Sequence, residues 1–209
     1  MLASGSCLLT DVVDKLHEPS KKINVVDRLS KHLDKGTPAS AAASYLQQVR
    51  NWVPAAPVIH IDDSDVVKQD GYKFESLGIV RDGSESTSTK NVYKKRYHVT
   101  EACVLTTSNH PVSIFSKIHS SAEKGYKSAN VITFEAMEQG AALFKRATFC
   151  MDRGYDDNKM FLKLDDLEQD YVIRLTSKRK LLYHNKWTPA TELRDRRKGK
   201  IKTSVFYRG

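Results

Sequence analysis

The stretch 58–65, VIHIDDSD, decides the fold when it is read together with 147–152, ATFCMD. Each is a short apolar or β-branched run that arrives at an aspartate. Val58-Ile59-His60-Ile61 runs into Asp62-Asp63-Ser64-Asp65, and the run from Ala147 to Met151 ends at Asp152. Asp63 and Asp152 stand 89 positions apart. Carboxylates at the ends of neighbouring strands meet in space. Oxygen-only ligands of this kind suit Mg²⁺, which keeps several waters and takes one or two carboxylates plus phosphate oxygens. Two such ions clamp the attacking and leaving oxygens of a phosphodiester displacement. The same residues also have a plainer use. Aspartate after a strand is a common turn former or helix N-cap, and Asp156 or Asp157 suits the cap of the next helix.

Outward from these two strands, the pattern predicts a mixed α/β chain. Residues 97–106 and 111–119 read as a hairpin joined by Ser108-Asn109-His110. A helix over 130–145 carries Ile132, Ala136, Met137 and Leu143 on one side, and a helix over 156–168 turns Met160, Phe161, Leu164 and Leu167 inward. Strands follow at 171–175 and at 180–187. From residue 58 onward the order is β, β, β, α, β, α, β. The first three strands suit an antiparallel meander, and the rest suits a sheet covered by helices, an RNase H-like arrangement among others. Upstream, Leu9, Val12, Val13 and Leu16 fall on one helical face that Pro19 ends. A second helix from Asn24 places Val26, Leu29 and Leu33 together, with Gly36 at its end, and a third runs over 38–52. The domains are then a helical segment over 1–53, a core over 58–177 and a basic region over 178–209.

Composition narrows the function classes. The chain has 209 residues, with 34 Lys and Arg against 25 Asp and Glu, a formal charge of +9. Residues 178–209 hold 11 of the basic residues and only two acids, Glu192 and Asp195, so this region carries the whole excess. The rest is formally neutral. A balance this basic points to a polyanionic partner. No run of 18 uncharged apolar residues exists, so no membrane-spanning helix and no membrane partner is expected. Cys7, Cys103 and Cys150 are odd in number and lack metal spacing, which fits a reducing cytoplasm. His60 and His98 read as packed or surface histidines, and Cys103 and Cys150 as buried.

One competing motif uses the same aspartates. Asp63-Ser64-Asp65 after an apolar strand is also the D-x-D of a haloacid-dehalogenase-like phosphatase, with Asp63 as nucleophile and Asp65 as general acid. That fold requires a βαβ crossover next, whereas the following residues read as a meander.

Four stretches taken together, VIHIDDSDVVK, GYKFESLGIVRDGS, YHVTEACVLT and FCMDRGYDDNKMF, resemble the catalytic core of bacterial insertion-sequence DDE transposases of the IS-four type. The resemblance spans roughly residues 3–207. It implies an RNase H-like mixed sheet flanked by helices, preceded by a short helical remnant of a DNA-binding part. It implies two Mg²⁺ or Mn²⁺ ions held by two Asp and one Glu. Asp63 is the first acid, with Asp62 or Asp65 as register alternatives, and Asp152 is the second. Arg153 meets phosphate or pairs with Asp156 or Asp157. The family's Glu lies in a Y-x₂-R-x₃-E-x₆-K signature. Tyr171-Val172-Ile173-Arg174 opens in that way, but Lys178 stands where the Glu belongs, so no third acid is found in this chain. The resemblance thus implies a member cut at both ends, defective in DNA cleavage and strand transfer.

The implied partner is DNA, both transposon ends and target, with a homodimer in the intact family. Arg194, Arg196, Arg197 and Lys198, in RDRRKGKIK, are the candidate phosphate contacts at the start of a strand-rich insertion. The same run also reads as an ordinary solvated charge cluster. A non-catalytic DNA-binding remnant is the remaining alternative.

Overall fold

The computed structural model describes residues 4–71, 73–82 and 85–197. The chain divides into two compact units, Met1–Gln48 and Val49–Gly209. The division falls inside the third helix, earlier than the expected boundary at residue 53.

The first unit is helical. Helix α1 is Leu9–Leu16, α2 is Lys22–Asp34, and α3 begins at Ala39 and ends at Trp52. Helix α1 stops before Pro19, at His17, whose φ of 50° is left-handed. Helix α2 starts two residues before Asn24, and its buried residue is Val25. The expected stripe is only half-buried at Val26 and Leu29 and is exposed at Leu33. Lys22 Nζ lies 2.6 Å from Asp14, linking α1 to α2.

The second unit is built on one mixed sheet. Strand β1 (Val58–Val67) pairs antiparallel with β3 (Tyr93–Leu105) from Ile59↔Val104 to Val67↔Arg96. On its other side β1 pairs in parallel with β5 (Thr148–Met151), and β5 pairs in parallel with β6 (Asp170–Ile173). The far edge of β3 takes β2 (Gly78–Arg81) and then β4 (Pro111–His119), both antiparallel. Strand β2 adds a fourth strand to the expected meander. Strand β1 also runs six residues beyond Ile61, so the aspartates expected at its end lie inside it. The reason is the length of β3, which continues to Tyr93 and offers ladder partners to the whole acidic segment.

Helices α4 (Ala129–Leu143) and α5 (Asn158–Asp166) flank the sheet. Helix α4 buries Ile132, Thr133, Ala136, Met137 and Gly140. At Gly140 an added Cβ would meet Ile59 Cδ1 at 2.8 Å and Phe149 Cζ at 3.0 Å, so the missing side chain lets the helix approach β1 and β5. Ile59, Ala102, Val104, Phe149 and Leu164 form the heart of the core. Asp157 caps α5, its Oδ1 accepting from Lys159 N at 3.0 Å. The opposite sheet face carries exposed Val58, His60 and Val172, and Cys103 and Cys150 are only half-buried there.

The strand expected over 180–187 is a separate hairpin, β7 (Lys180–Tyr183) and β8 (Lys186–Pro189). His184 and Asn185 form its two-residue turn, both with left-handed φ, 46° and 58°. That pairing of positive φ values matches the right-handed twist of the flanking strands. Helix α6 (Ala190–Arg197) follows. No described helix is long and apolar enough to cross a membrane.

Candidate active site

The ladder register orients the acidic segment of β1. Side chains alternate along a strand, so Asp63 and Asp65 share a face with buried Ile59 and Ile61. Asp62 lies on the other face, opposite Glu101. Asp62, Asp63 and Asp65 are all exposed, as is Asp152 at the end of β5.

Asp63 is tied from behind. Its cross-strand partner is Thr100, whose hydroxyl donates to Asp63 Oδ1 at 2.6 Å. Thr100 Oγ1 lies 3.0 Å from His119 Nε2, and both residues are fully buried. The His119 ring stacks with His98 and with Tyr126, with centroids at 5.6 Å and 5.9 Å. Burial, with some help from nearby His98, pushes the His119 pKa below the ordinary imidazole value, against an opposing pull from Asp63.

Asp152 is held by its own turn. Its Oδ1 accepts from Gly154 N at 2.6 Å, which caps the 3₁₀ turn Arg153–Tyr155. That turn carries Tyr155 into the interior. The Tyr155 hydroxyl is buried and makes no hydrogen bond of ordinary geometry. Its pKa is raised far above the usual phenol value, by burial first, then by the charge and proximity of Asp63, then by Asp62 and Asp152. What places Asp63 and Asp152 on adjacent strands is the parallel pairing of β1 with β5, which ends at His60↔Cys150, so that Asp63 follows three residues past the last pair and Asp152 two residues past it.

The remaining acids are engaged elsewhere. Asp65 pairs with Arg96 and with His98, whose Nδ1 lies at 2.9 Å. Asp156 accepts from Thr176 N at 2.7 Å and Thr176 Oγ1 at 2.8 Å, and it pairs with Arg179 at 2.7 Å. Arg179 also stacks on Phe161. Arg153 is exposed, while the two acids expected to pair with it do other work: Asp156 binds Arg179 and Asp157 caps α5.

Among the described residues, no group of three or more His, Cys, Asp and Glu side chains is arranged to hold a metal ion. Asp63 and Asp152 fit part of such a site. Both present carboxylate oxygens to solvent, and each has one oxygen fixed by a short hydrogen bond. Hard oxygen donors of this type suit Mg²⁺ or Mn²⁺. A cleft of about 510 Å³ lies elsewhere, lined by Thr176, Lys178, Arg179, Lys180 and Trp187. Asp63 and Asp152 are exposed.

Arg194, Arg196 and Arg197 fall on α6, and their side chains lie outside what is described. Lys198 lies outside the described residues altogether. Thr100, His119 and Tyr155 are not among the site residues expected from sequence. Alternation along β3 places Thr100 beside Asp63 only once β1 is read as extending through the acidic segment. No protein-family model matches the chain, and no curated protein matches it.

Proposed function

We propose that this chain carries the core of an RNase H-like phosphoryl-transfer site, of the kind found in DDE transposases, acting on DNA with Mg²⁺ or Mn²⁺. The observation that carries the reading is the parallel pairing of β1 with β5, which puts Asp63, on the central strand, and Asp152, just past its parallel neighbour, on adjacent strands beyond their last paired residues. The sheet supports it: an antiparallel β1–β3–β4 set continues through β1 into parallel β5 and β6. Asp63 shares the strand face of Ile59 and Ile61 and accepts from Thr100, whereas Asp62 lies on the other face, which favours Asp63 as first ligand. Asp65 is committed to Arg96 and His98, which leaves it poorly suited to metal or to general-acid work.

When bound, the cations supply charge stabilisation to the attacking and leaving oxygens. The chain's residues hold the carboxylates and keep the approach open to a duplex. The excess charge over 178–209 supplies sequence-independent attraction to phosphate. Transposon ends and target DNA are the proposed partners, and a homodimer is the proposed assembly. With two acids rather than three, the chain binds DNA and does not cut it.

The test is a gel-shift and nicking assay on duplex DNA across a salt series. Expected is salt-sensitive binding with no cleavage in Mg²⁺ or Mn²⁺. Replacing Arg194, Arg196, Arg197 and Lys198 by Ala lowers the salt slope by up to about 0.9 for each phosphate no longer neutralised. Cleavage that Asp63→Ala abolishes contradicts the two-acid account. Absence of DNA binding at low salt contradicts the nucleic-acid reading.

A further inference from the structure

We infer that Thr100 and His119 are positioning residues for Asp63, fixing one oxygen of a carboxylate that is open to a divalent cation. The inference rests on the reading of Asp63 as a cation ligand. It follows from counting protons along a buried chain.

A threonine hydroxyl has one proton to give. An ionised aspartate only accepts. At 2.6 Å, Thr100 Oγ1 therefore commits its proton to Asp63 Oδ1. Its remaining polar neighbour is His119 Nε2 at 3.0 Å, so Nε2 must donate. His119 is thereby fixed as the Nε2–H tautomer. The other ring nitrogen, Nδ1, is buried and without a partner. In this tautomer Nδ1 carries a lone pair and no proton. A proton there would be a buried donor with nothing to accept it, which costs more than an orphaned acceptor of this kind. His98 and Tyr126 stack with the His119 ring and offer Nδ1 no hydrogen bond. The chain thus has one direction, from His119 through Thr100 to Asp63.

The consequence falls on the carboxylate. Asp63 Oδ1 is held by a buried donor that is itself bonded to buried His119. Beyond that bond Asp63 is exposed, so its carboxylate is open to a ligand from solvent. An outer residue that orients a ligand in this way commonly changes metal affinity roughly 10–100-fold when removed.

The experiment is Mn²⁺ binding to the full chain by electron paramagnetic resonance, paired with ¹⁵N spectra of the histidine rings. Wild type should bind Mn²⁺, and Asp63→Asn should lose that binding. Thr100→Val should weaken it about tenfold, and Thr100→Ser, which keeps the hydroxyl, should restore most of the loss. The wild-type spectrum should show His119 neutral with its proton on Nε2, and Mg²⁺ should shift its ring nitrogens in wild type but not in Asp63→Asn. That spectrum needs no variant, so a poorly folded Thr100→Val leaves the inference open to refutation. Binding by Thr100→Val as tight as wild type, or a proton on His119 Nδ1, overturns the positioning role alone. Absence of Asp63-dependent binding in wild type overturns the cation reading and the inference with it.

Discussion

Asp63 of β1 and Thr100 of β3 face each other across the antiparallel ladder, joined by a 2.6 Å hydrogen bond. The aspartate is therefore a strand residue with a strand residue's supports. Its position is set by the ladder, by the core beneath Ile59 and Ile61, and by His119 behind Thr100. Rigid elements hold a charged ligand more precisely than loops do.

Tyr155 makes the first prediction. Its hydroxyl is buried, without an ordinary hydrogen bond, and close to the charge of Asp63. Removing an unpartnered buried hydroxyl removes a desolvation penalty. Tyr155→Phe should leave stability unchanged or raise it by about 1 kcal/mol. Tyr155→Ala, which empties a buried ring site, should cost about 3–5 kcal/mol. Urea unfolding of the three proteins checks both signs.

Gly140 makes the second. A Cβ there would stand 2.8 Å from Ile59 and 3.0 Å from Phe149, at the closest approach of α4 to the sheet. Gly140→Val should destabilise by about 2–3 kcal/mol through overpacking. The intrinsic helix preference of valine over glycine offsets only a few tenths of that. A denaturant midpoint equal to wild type would mean that α4 does not sit against Ile59 and Phe149 as described.

Asp156 makes the third, and it depends on pH. Burial works against its charge, but the bonds from Arg179 and Thr176 outweigh burial and hold its pKa below the ordinary carboxylate value. A carboxylate with a depressed folded pKa contributes stability that is present above its unfolded pKa of about 4. That stability is lost as pH falls through the lower folded value. Asp156→Asn should therefore cost about 3 kcal/mol at pH 7. The gap to wild type should close in acid, below about pH 4. Unfolding free energies of both proteins from pH 7 downward decide it. A constant gap at all pH values would mean that the ion pair with Arg179 contributes nothing.

The sheet is legible from particular residues and illegible at others. Val58–Ile61 and Thr148–Met151 announce strands by composition. The helices at Ala129–Leu143 and Asn158–Asp166 follow from apolar spacing, although both end short of the expected limits. The full length of strand β1 is hidden because Asp62, Asp63 and Asp65 have poor strand preference. Ladder pairing to β3, with Arg96 and His98 answering Asp65, overrides that preference. Strand β2 has only four residues and depends on β3 for its existence. The hairpin turn at His184-Asn185 lacks glycine, which conceals its left-handed pair. At the site, Asp63 and Asp152 are visible as residue types. Thr100, His119 and Tyr155 are not, because their roles arise only from cross-strand register and burial.

The central claim is that Asp63 and Asp152 act together on one divalent cation site. Mn²⁺ titration of the full chain, followed by electron paramagnetic resonance, tests it most directly when wild type is compared with Asp63→Asn, Asp152→Asn and the double variant. The account predicts one class of bound Mn²⁺ in wild type that either single substitution removes, with the double variant no worse than the singles. Wild type that binds no Mn²⁺, or binding that survives both substitutions, would contradict it.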